Sequence, residues 1–359
     1  MSDNLNLKNL LVEVLKSGAS DLHLAAGEKP RIRIESKMST LEQLSVLSSE
    51  EIRALCYSLL SEKQQAVFEK EKNLDFSFGV KNLARFRVSV FYQKAQVGVV
   101  MRVIPHTIPD ISLLGLPRSV LNLTDMQSGL VLVSGPTGSG KSTTLATLID
   151  KINSEQHKHI VTIEDPIEFY HSSKKSIITQ REIGHDVNDF NSALKHALRQ
   201  DPDICLIGEL RDLETIEMGL RLAETGHLVF STLHAGGSVD SIVRLIDSFP
   251  SSSQNKVRTQ LSFTLKAIIN QKLVADLSGR NSLVTEVLFM NDAIRNLIRE
   301  NKLHQIYSII QLGQQESKMH TMNQSLLHLV KRNKIDIQMA LKYSPNKKEL
   351  QSLLLKLAA

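Results

Sequence analysis

The sequence predicts an α/β protein: a parallel sheet covered by helices on both faces, with a small α+β domain before it and a helical region after it. Three observations carry this. Between residues 118 and 291, short unbroken apolar runs alternate with helical patterns, which is how strands buried on both faces read. Before residue 105, helical periodicity and strict polar–apolar alternation are mixed. Between these regions lies a stretch dense in Pro105, Pro109, Gly115 and Pro117, residues that punctuate a chain rather than continue an element. A length of 359 residues suits at least two domains of ordinary size.

In chain order, Leu7, Leu10, Leu11, Val14 and Leu15 recur at a helical period, so residues 5–17 are predicted helical. Asp21–Leu24 and Arg31–Ile34 read as short strands, residues 49–70 as helix, and 74–80, 84–92 and 96–104 as strands. In Ala84-Arg85-Phe86-Arg87-Val88-Ser89-Val90 the alternation puts one face inside and a polar face outside. After the linker, Leu130–Val133, Ile160–Ile163, Ile204–Ile207 and Leu228–Ser231 read as buried strands, with helices predicted at 141–153, 189–199 and 212–224. From about residue 292 the pattern is helical, ending in a basic segment, 331–359. The expected organisation is therefore an N-terminal domain over 1–104, a linker over 105–117, a core over 118–291 and a helical C-terminal region over 292–359.

Composition removes several classes. With 42% hydrophobic and 23% charged residues, the chain is neither disordered nor fibrous. Its two cysteines, Cys56 and Cys205, form no C-x-x-C pair, so no thiolate zinc site is expected and a reducing compartment suits it. Histidine has no i,i+4 pair to hold a metal. No apolar run reaches 18 residues, and Met1–Asn6 lacks the basic and apolar regions of a secretory signal, so the protein is expected to stay where it is made. A net charge of +5 is a solvated surface rather than a nucleic-acid footprint. With no tryptophan, five tyrosines and no helix-turn-helix pattern, nucleic acid is not an expected partner.

Gly135-Pro136-Thr137-Gly138-Ser139-Gly140-Lys141-Ser142 fits G-x-x-x-x-G-K-[ST] in full, after an apolar strand and at the start of a helix. Glycines let successive backbone N–H groups turn inward around phosphates, and the helix adds its positive N-terminal end. Lys141 is placed to reach the β- and γ-phosphates, and Ser142 to offer a hydroxyl to Mg²⁺. Thr143, one residue on, completes the predicted nucleotide-binding set.

A nucleoside triphosphatase also needs carboxylates for water and for the metal. Ile160–Ile163 runs into Glu164-Asp165-Pro166-Ile167-Glu168, and Ile204–Ile207 runs through Gly208 into Glu209-Leu210-Arg211-Asp212. In open α/β sheets ligands bind beyond the carboxyl ends of strands, where Glu164 and Glu209 are predicted. His227 and His234 bracket the strand in Gly226-His227-Leu228-Val229-Phe230-Ser231-Thr232-Leu233-His234. His234 leads into Ala235-Gly236-Gly237, where it could hydrogen-bond a γ-phosphate.

Taken in order, the loop Gly135–Ser142, the acidic box from Glu164, the Gly208–Asp212 segment and the two-histidine box resemble the secretion-type ATPase superfamily, and within it the retraction motors of type IV pili. Ser20-Asp21-Leu22-His23-Leu24, Ala84-Arg85-Phe86-Arg87 and Ala293-Ile294-Arg295-Asn296-Leu297-Ile298-Arg299-Glu300 extend the likeness over residues 7–330. The resemblance implies a RecA-like core, a PAS-like N-terminal domain and a homo-hexameric ring. It implies a cytoplasmic site at the inner face of the membrane, on an inner-membrane pilus platform protein, with ATP and Mg²⁺ as nucleotide and cofactor and a second pilus ATPase as a further partner. It makes Glu164 the catalytic base, Glu209 the acid near Mg²⁺, and His227 and His234 the histidine-box pair. Arg85, Arg87 and Arg102 become arginines that approach the nucleotide. Two other readings stay open at this level: an accessory pilus ATPase that hydrolyses little, and a type IV secretion ATPase.

Overall fold

The structure is a computed structural model, and it describes residues 7–34, 37–80, 83–104, 107–313 and 317–358. Residues 5 and 6 of the predicted first helix, Pro105 of the predicted linker and the N-terminal Met1–Asn6 lie outside the described residues. The chain divides into two units, Met1–Thr107 and Ile108–Ala359.

The first unit runs α1 (Leu7–Lys16), β1 (Asp21–Leu24), β2 (Arg31–Ile34), β3 (Lys37–Thr40), α2 (Ser49–Leu59), α3 (Glu62–Glu71), β4 (Asn73–Val80), β5 (Ala84–Gln93) and β6 (Gln96–Ile104). Its six strands form an antiparallel sheet in the order β3-β2-β1-β6-β5-β4. Phe86, Val88, Val90, Val99 and Met101 are buried on one face with Leu11, Val14, Ile52, Cys56 and Phe68 from the helices. The other face carries the alternate residues, among them Arg85 and Arg87. The helix predicted over 49–70 is two helices. Leu60 is extended, and Ser61 accepts from the backbone N–H of Gln64 in a capping box that starts α3.

The second unit runs α4 (Arg118–Leu121), β7 (Gly129–Ser134), α5 (Lys141–Glu155), β8 (His159–Glu164), β9 (Ile177–Glu182), α6 (Phe190–Ala197), β10 (Ile204–Ile207), α7 (Leu213–Glu224), β11 (Leu228–Leu233), α8 (Ser238–Asp247), α9 (Gln254–Thr264), β12 (Leu265–Ala275), β13 (Asn281–Phe289), α10 (Asp292–Arg299), α11 (Ile306–Leu312), α12 (Met322–Lys331), α13 (Ile337–Tyr343) and α14 (Lys347–Ala358). Its seven-stranded sheet has the order β13-β12-β7-β11-β10-β8-β9. Every pairing is parallel except β12 with β13. Both faces are covered. Val131, Val133, Leu206 and Phe230 pack with Leu145, Leu148 and Ile152 of α5. Leu130, Leu132, Val161 and Val229 pack with residues of α6–α11. A separate apolar cluster joins Val274 and Val284 of the β12–β13 hairpin to Met322, Leu326, Ala340 and Leu350. The sheet is wider than the four strands read from sequence, because β9, β12 and β13 join it.

Candidate active site

Parallel register fixes where the chemistry gathers. Ser134 pairs with Leu233, Ile207 with Ser231, and Ile163 with Ile207, so β7, β11, β10 and β8 end close together along one edge. The residues that follow these ends are the phosphate loop, His234, Glu209 and, as the last residue of β8, Glu164.

The loop is closely packed behind and open in front. Gly135 has φ +146°, and a Cβ there would sit 2.3 Å from the carbonyl oxygen of Gln271, so no other residue fits. Pro136, Thr137 and Gly138 are exposed at the rim, while Ser139 and Lys141 are buried. The Lys141 ammonium donates to Gly135 O and Pro136 O, both at 3.0 Å. Burial holds its pKa below the ordinary lysine value, against the opposing pull of Glu209 and Glu168. Helix α5 begins after Gly140 with no side-chain cap. Its first N–H groups are thus left for an anion, and Ser142 and Thr143 stand on that first turn.

Glu164 Oε1 accepts from Thr162 Oγ1 at 2.7 Å and from Gln180 Nε2 at 3.3 Å. Burial pushes its carboxyl up to about 7, with the Glu168 carboxylate adding to the effect and the two hydrogen bonds opposing it. A carboxyl poised near neutrality can take a proton from water at working pH. Gln180 also donates to Phe169 O at 2.9 Å and accepts from His171 N at 2.8 Å, so one amide ties Glu164 to the loop that follows it.

Glu209 belongs to a line of charges across the strand ends. Its Oε2 accepts from Arg211 Nε at 2.7 Å, and its Oε1 lies 3.5 Å from His234 Nε2. Arg211 reaches Asp165 at 3.8 Å. The hydrogen bond to Glu209 raises the Arg211 pKa further. The carbonyl of His234 accepts from Arg244 at 2.6 Å, which fixes the start of the loop that follows.

His227 is placed differently. It precedes β11 beside Gly129, at the amino ends of the strands, where its Nδ1 lies 3.0 Å from Leu222 O and 3.1 Å from Thr225 Oγ1. A six-residue strand separates it from His234, which at strand rise is roughly 20 Å. The two histidines bracket β11 in sequence, but bracketing a strand puts them at opposite edges of the sheet. His227 is not brought to the phosphate loop of its own chain.

Arg85, Arg87 and Arg102 lie in the first unit. Arg85 donates to Ser77, and Arg87 stands opposite Arg102 in the β5–β6 register. Arg102 is ion-paired: its Nε donates to Asp21 Oδ1 at 2.7 Å, while Arg33 lies 3.8 Å from Asp21 Oδ2. Burial would raise the Asp21 pKa, but hydrogen bonds from Ser20 and Arg102 outweigh it and hold the carboxyl below its ordinary value.

Sequence reasoning missed Thr162, Gln180, Arg211, Asn270 and Gln271. Arg211 lay within the Gly208–Asp212 segment without a role of its own, and the other local signal was two adjacent amides, Asn270 and Gln271, inside the apolar run from Ala267 to Val274.

The family model described as "Type II/IV secretion system protein" matches residues 4–351. The chain is 46% identical to the type IV pilus retraction ATPase PilT of Pseudomonas aeruginosa, over 86% of this chain and 90% of that one. It is 44% identical to a twitching motility protein of Neisseria gonorrhoeae, over 89% and 86%. Among solved structures, the pilus retraction motor PilT with bound ADP matches with a TM-score of 0.90 and 48% identity, covering 97% of this chain and 99% of that one.

Proposed function

The chain belongs to the type II/IV secretion system protein family, and on that premise we propose that it is the ATP-driven motor that retracts type IV pili. One observation carries the reading. A complete phosphate loop stands at the carboxyl ends of a parallel sheet, and on the same edge a carboxyl, Glu164, is held near neutrality. The names of the relatives, a pilus retraction ATPase and a twitching motility protein, supply the work to which hydrolysis is coupled.

In the proposed mechanism the loop amides and the start of α5 cradle the phosphates. Lys141 leaves Gly135 O and Pro136 O for the β- and γ-phosphate oxygens. Glu164 accepts the proton of the attacking water as its oxygen bonds to the γ-phosphorus and the bond to the bridging oxygen breaks, leaving ADP and phosphate. The Ser142 hydroxyl and the Glu209 carboxylate are hard oxygen donors of the kind Mg²⁺ takes one or two of alongside phosphates, and the bound ion would neutralise charge on the β- and γ-oxygens. His234, through Glu209, links the ends of β10 and β11. Arg85, Arg87 and Arg102 are the proposed cations for the transferring phosphoryl group, a role that accelerates such reactions by about 10³–10⁵.

The working form is a homo-hexamer, because a closed ring repeats one heterologous contact without leaving open ends. It acts at the cytoplasmic face of the inner membrane, on a platform protein. Among the described residues no helix is long and apolar enough to cross a membrane, so attachment runs through partners. The reading is tested by deleting the gene and scoring surface pili and twitching. Excess unretracted pili without motility are expected, restored by the wild-type gene and not by Glu164→Gln. Normal pili and normal twitching in the deletion strain would overturn it.

A further inference from the structure

The phosphate loop is backed by a strand that no motif marks. Gln271 of β12 is fully buried, as is its neighbour Asn270. Adjacent strand residues point to opposite faces, and the two amides reach different targets. Asn270 Nδ2 donates to Ser134 Oγ at 2.9 Å and to Ala235 O at 3.0 Å, joining the end of β7 to the loop after His234. Gln271 Nε2 donates to Ser139 O at 2.8 Å, inside the phosphate loop. Its Oε1 accepts from Thr144 Oγ1 at 3.1 Å, on the first turn of α5.

The Ser139 contact has a stereochemical consequence. In a trans peptide the C=O of one residue and the N–H of the next point in opposite directions. Holding Ser139 O against β12 therefore aims the Gly140 N–H away from β12. A Cβ built on Gly140 would lie 3.4 Å from Gln271 Nε2, so the amide sits directly behind this peptide. The Ser139 carbonyl, which can only accept, sets which way round the Gln271 amide stands. Nε2 faces that carbonyl, and the Thr144 hydroxyl, able to donate or accept, then donates to Oε1 and steadies this orientation. Were the amide reversed, two oxygens would face each other at a buried contact.

We propose that Gln271 is a positioning residue for nucleotide binding: with Thr144 steadying its amide, it orients the Ser139–Gly140 peptide so that the Gly140 N–H serves the phosphates. Gln271 touches no nucleotide and acts only through the loop. Thr144 in turn acts only through Gln271.

The test uses the full-length protein with Gln271→Met, which keeps the volume and removes both hydrogen bonds, Thr144→Val, which removes only the donor to Oε1, and the double variant. Affinity for ADP, kcat and KM for ATP, and the melting temperature without nucleotide are measured for each. Loss of a buried, oriented hydrogen bond predicts ADP affinity lower by about tenfold in Gln271→Met. KM for ATP rises in parallel and kcat changes less. Thr144→Val loses several-fold, and the double variant is no weaker than Gln271→Met alone, since residues acting in series are non-additive. A merely structural role would lower the melting temperature and leave ADP affinity untouched. That result, or losses that add, overturns the proposal. If Gln271→Met does not fold, Thr144→Val carries the test: weaker ADP binding at an unchanged melting temperature supports it, and unchanged binding overturns it.

Discussion

Replacing Glu164 by Gln separates the chemistry from the stability of the site. The carboxyl is pushed up to about 7 from an ordinary 4.5. At 1.36 kcal/mol for each tenfold change in proton affinity, holding the charged form costs the fold about 3 kcal/mol. Because the folded-state pKa is raised, the stabilising contribution is complete below pH 4.5 and is lost as pH rises through 7. Glutamine, neutral throughout, escapes that loss. At pH 5 wild type and variant should differ by no more than about 1 kcal/mol. At pH 8, without nucleotide, the variant should be the more stable by about 2–3 kcal/mol, allowing for the partial exposure of the residue. For a unit of this size that is roughly 5–10 °C. Turnover should move the other way. The glutamine side chain would still accept from Thr162 but could not take a proton, so kcat should fall about 10²–10⁴-fold, with ADP affinity retained. Wild-type turnover should rise with pH through an acid limb near 7. Thermal melts from pH 5 to 8 and a phosphate-release assay read both effects. Wild-type turnover in Glu164→Gln, or a stability difference that does not change with pH, would refute the reasoning.

Arg87→Ala combined with Arg102→Ala should slow hydrolysis at least tenfold and weaken ATP binding less. In separate melts Arg102→Ala alone should cost about 1–3 kcal/mol, because it leaves the buried Asp21 carboxylate short of a donor, whereas the exposed Arg87 should cost little. Arg295→Ala should leave ATPase activity largely intact and abolish twitching. It should also cost about 1 kcal/mol, read by thermal melting, because Arg295 donates to Ser262 O at 2.5 Å and pins α10 to α9.

What the sequence made legible follows from what has a local signal. The strands at 130–133, 160–163, 204–207 and 228–231 are short apolar runs between helical patterns, and burial on both faces writes that pattern directly. β9 was hidden because it is an edge strand with Thr179, Gln180, Arg181 and Glu182, and only its pairing with β8 makes it a strand. β12 contains Asn270, Gln271 and Lys272 in its middle, which interrupts the apolar signal although the first two are fully buried. The break between α2 and α3 was readable in principle as Ser61-x-x-Gln64. The positions of Lys141, Glu164 and Glu209 were legible because loop spacing and strand ends locate them. Gln180 and Gln271 were not, since a lone amide becomes functional only through partners distant in sequence. His227 stands apart for a geometric reason: the two histidines flank one strand, and only the carboxyl end of that strand, where His234 lies, meets the phosphate loop of the same chain.

The same geometry predicts that the α10 motif can be separated from hydrolysis. α10 sits at the amino ends of the strands. There Arg295 grips Ser262, and the Lys266 side chain lies so close over Gly129 that a Cβ would meet it at 2.3 Å. Burial holds the Lys266 pKa below the ordinary lysine value, and the nearby Arg295 charge lowers it further. β7 and β12 begin at this end, and at the other they reach the phosphate loop, through Ser134 and through Gln271. A strand of this length spans roughly 20 Å, far beyond the reach of a side chain and beyond a screening length of about 8–10 Å. At that separation a charge removed at Arg295 acts only weakly on Glu164. What connects the two ends is the strands themselves, rigid elements clamped at the loop by buried amides and at the origin by α9 and α10. Work done at the phosphate loop is expected to reach the far edge as displacement of those strands. Loosening the grip of α10 would interrupt that route while leaving the hydrolytic site assembled.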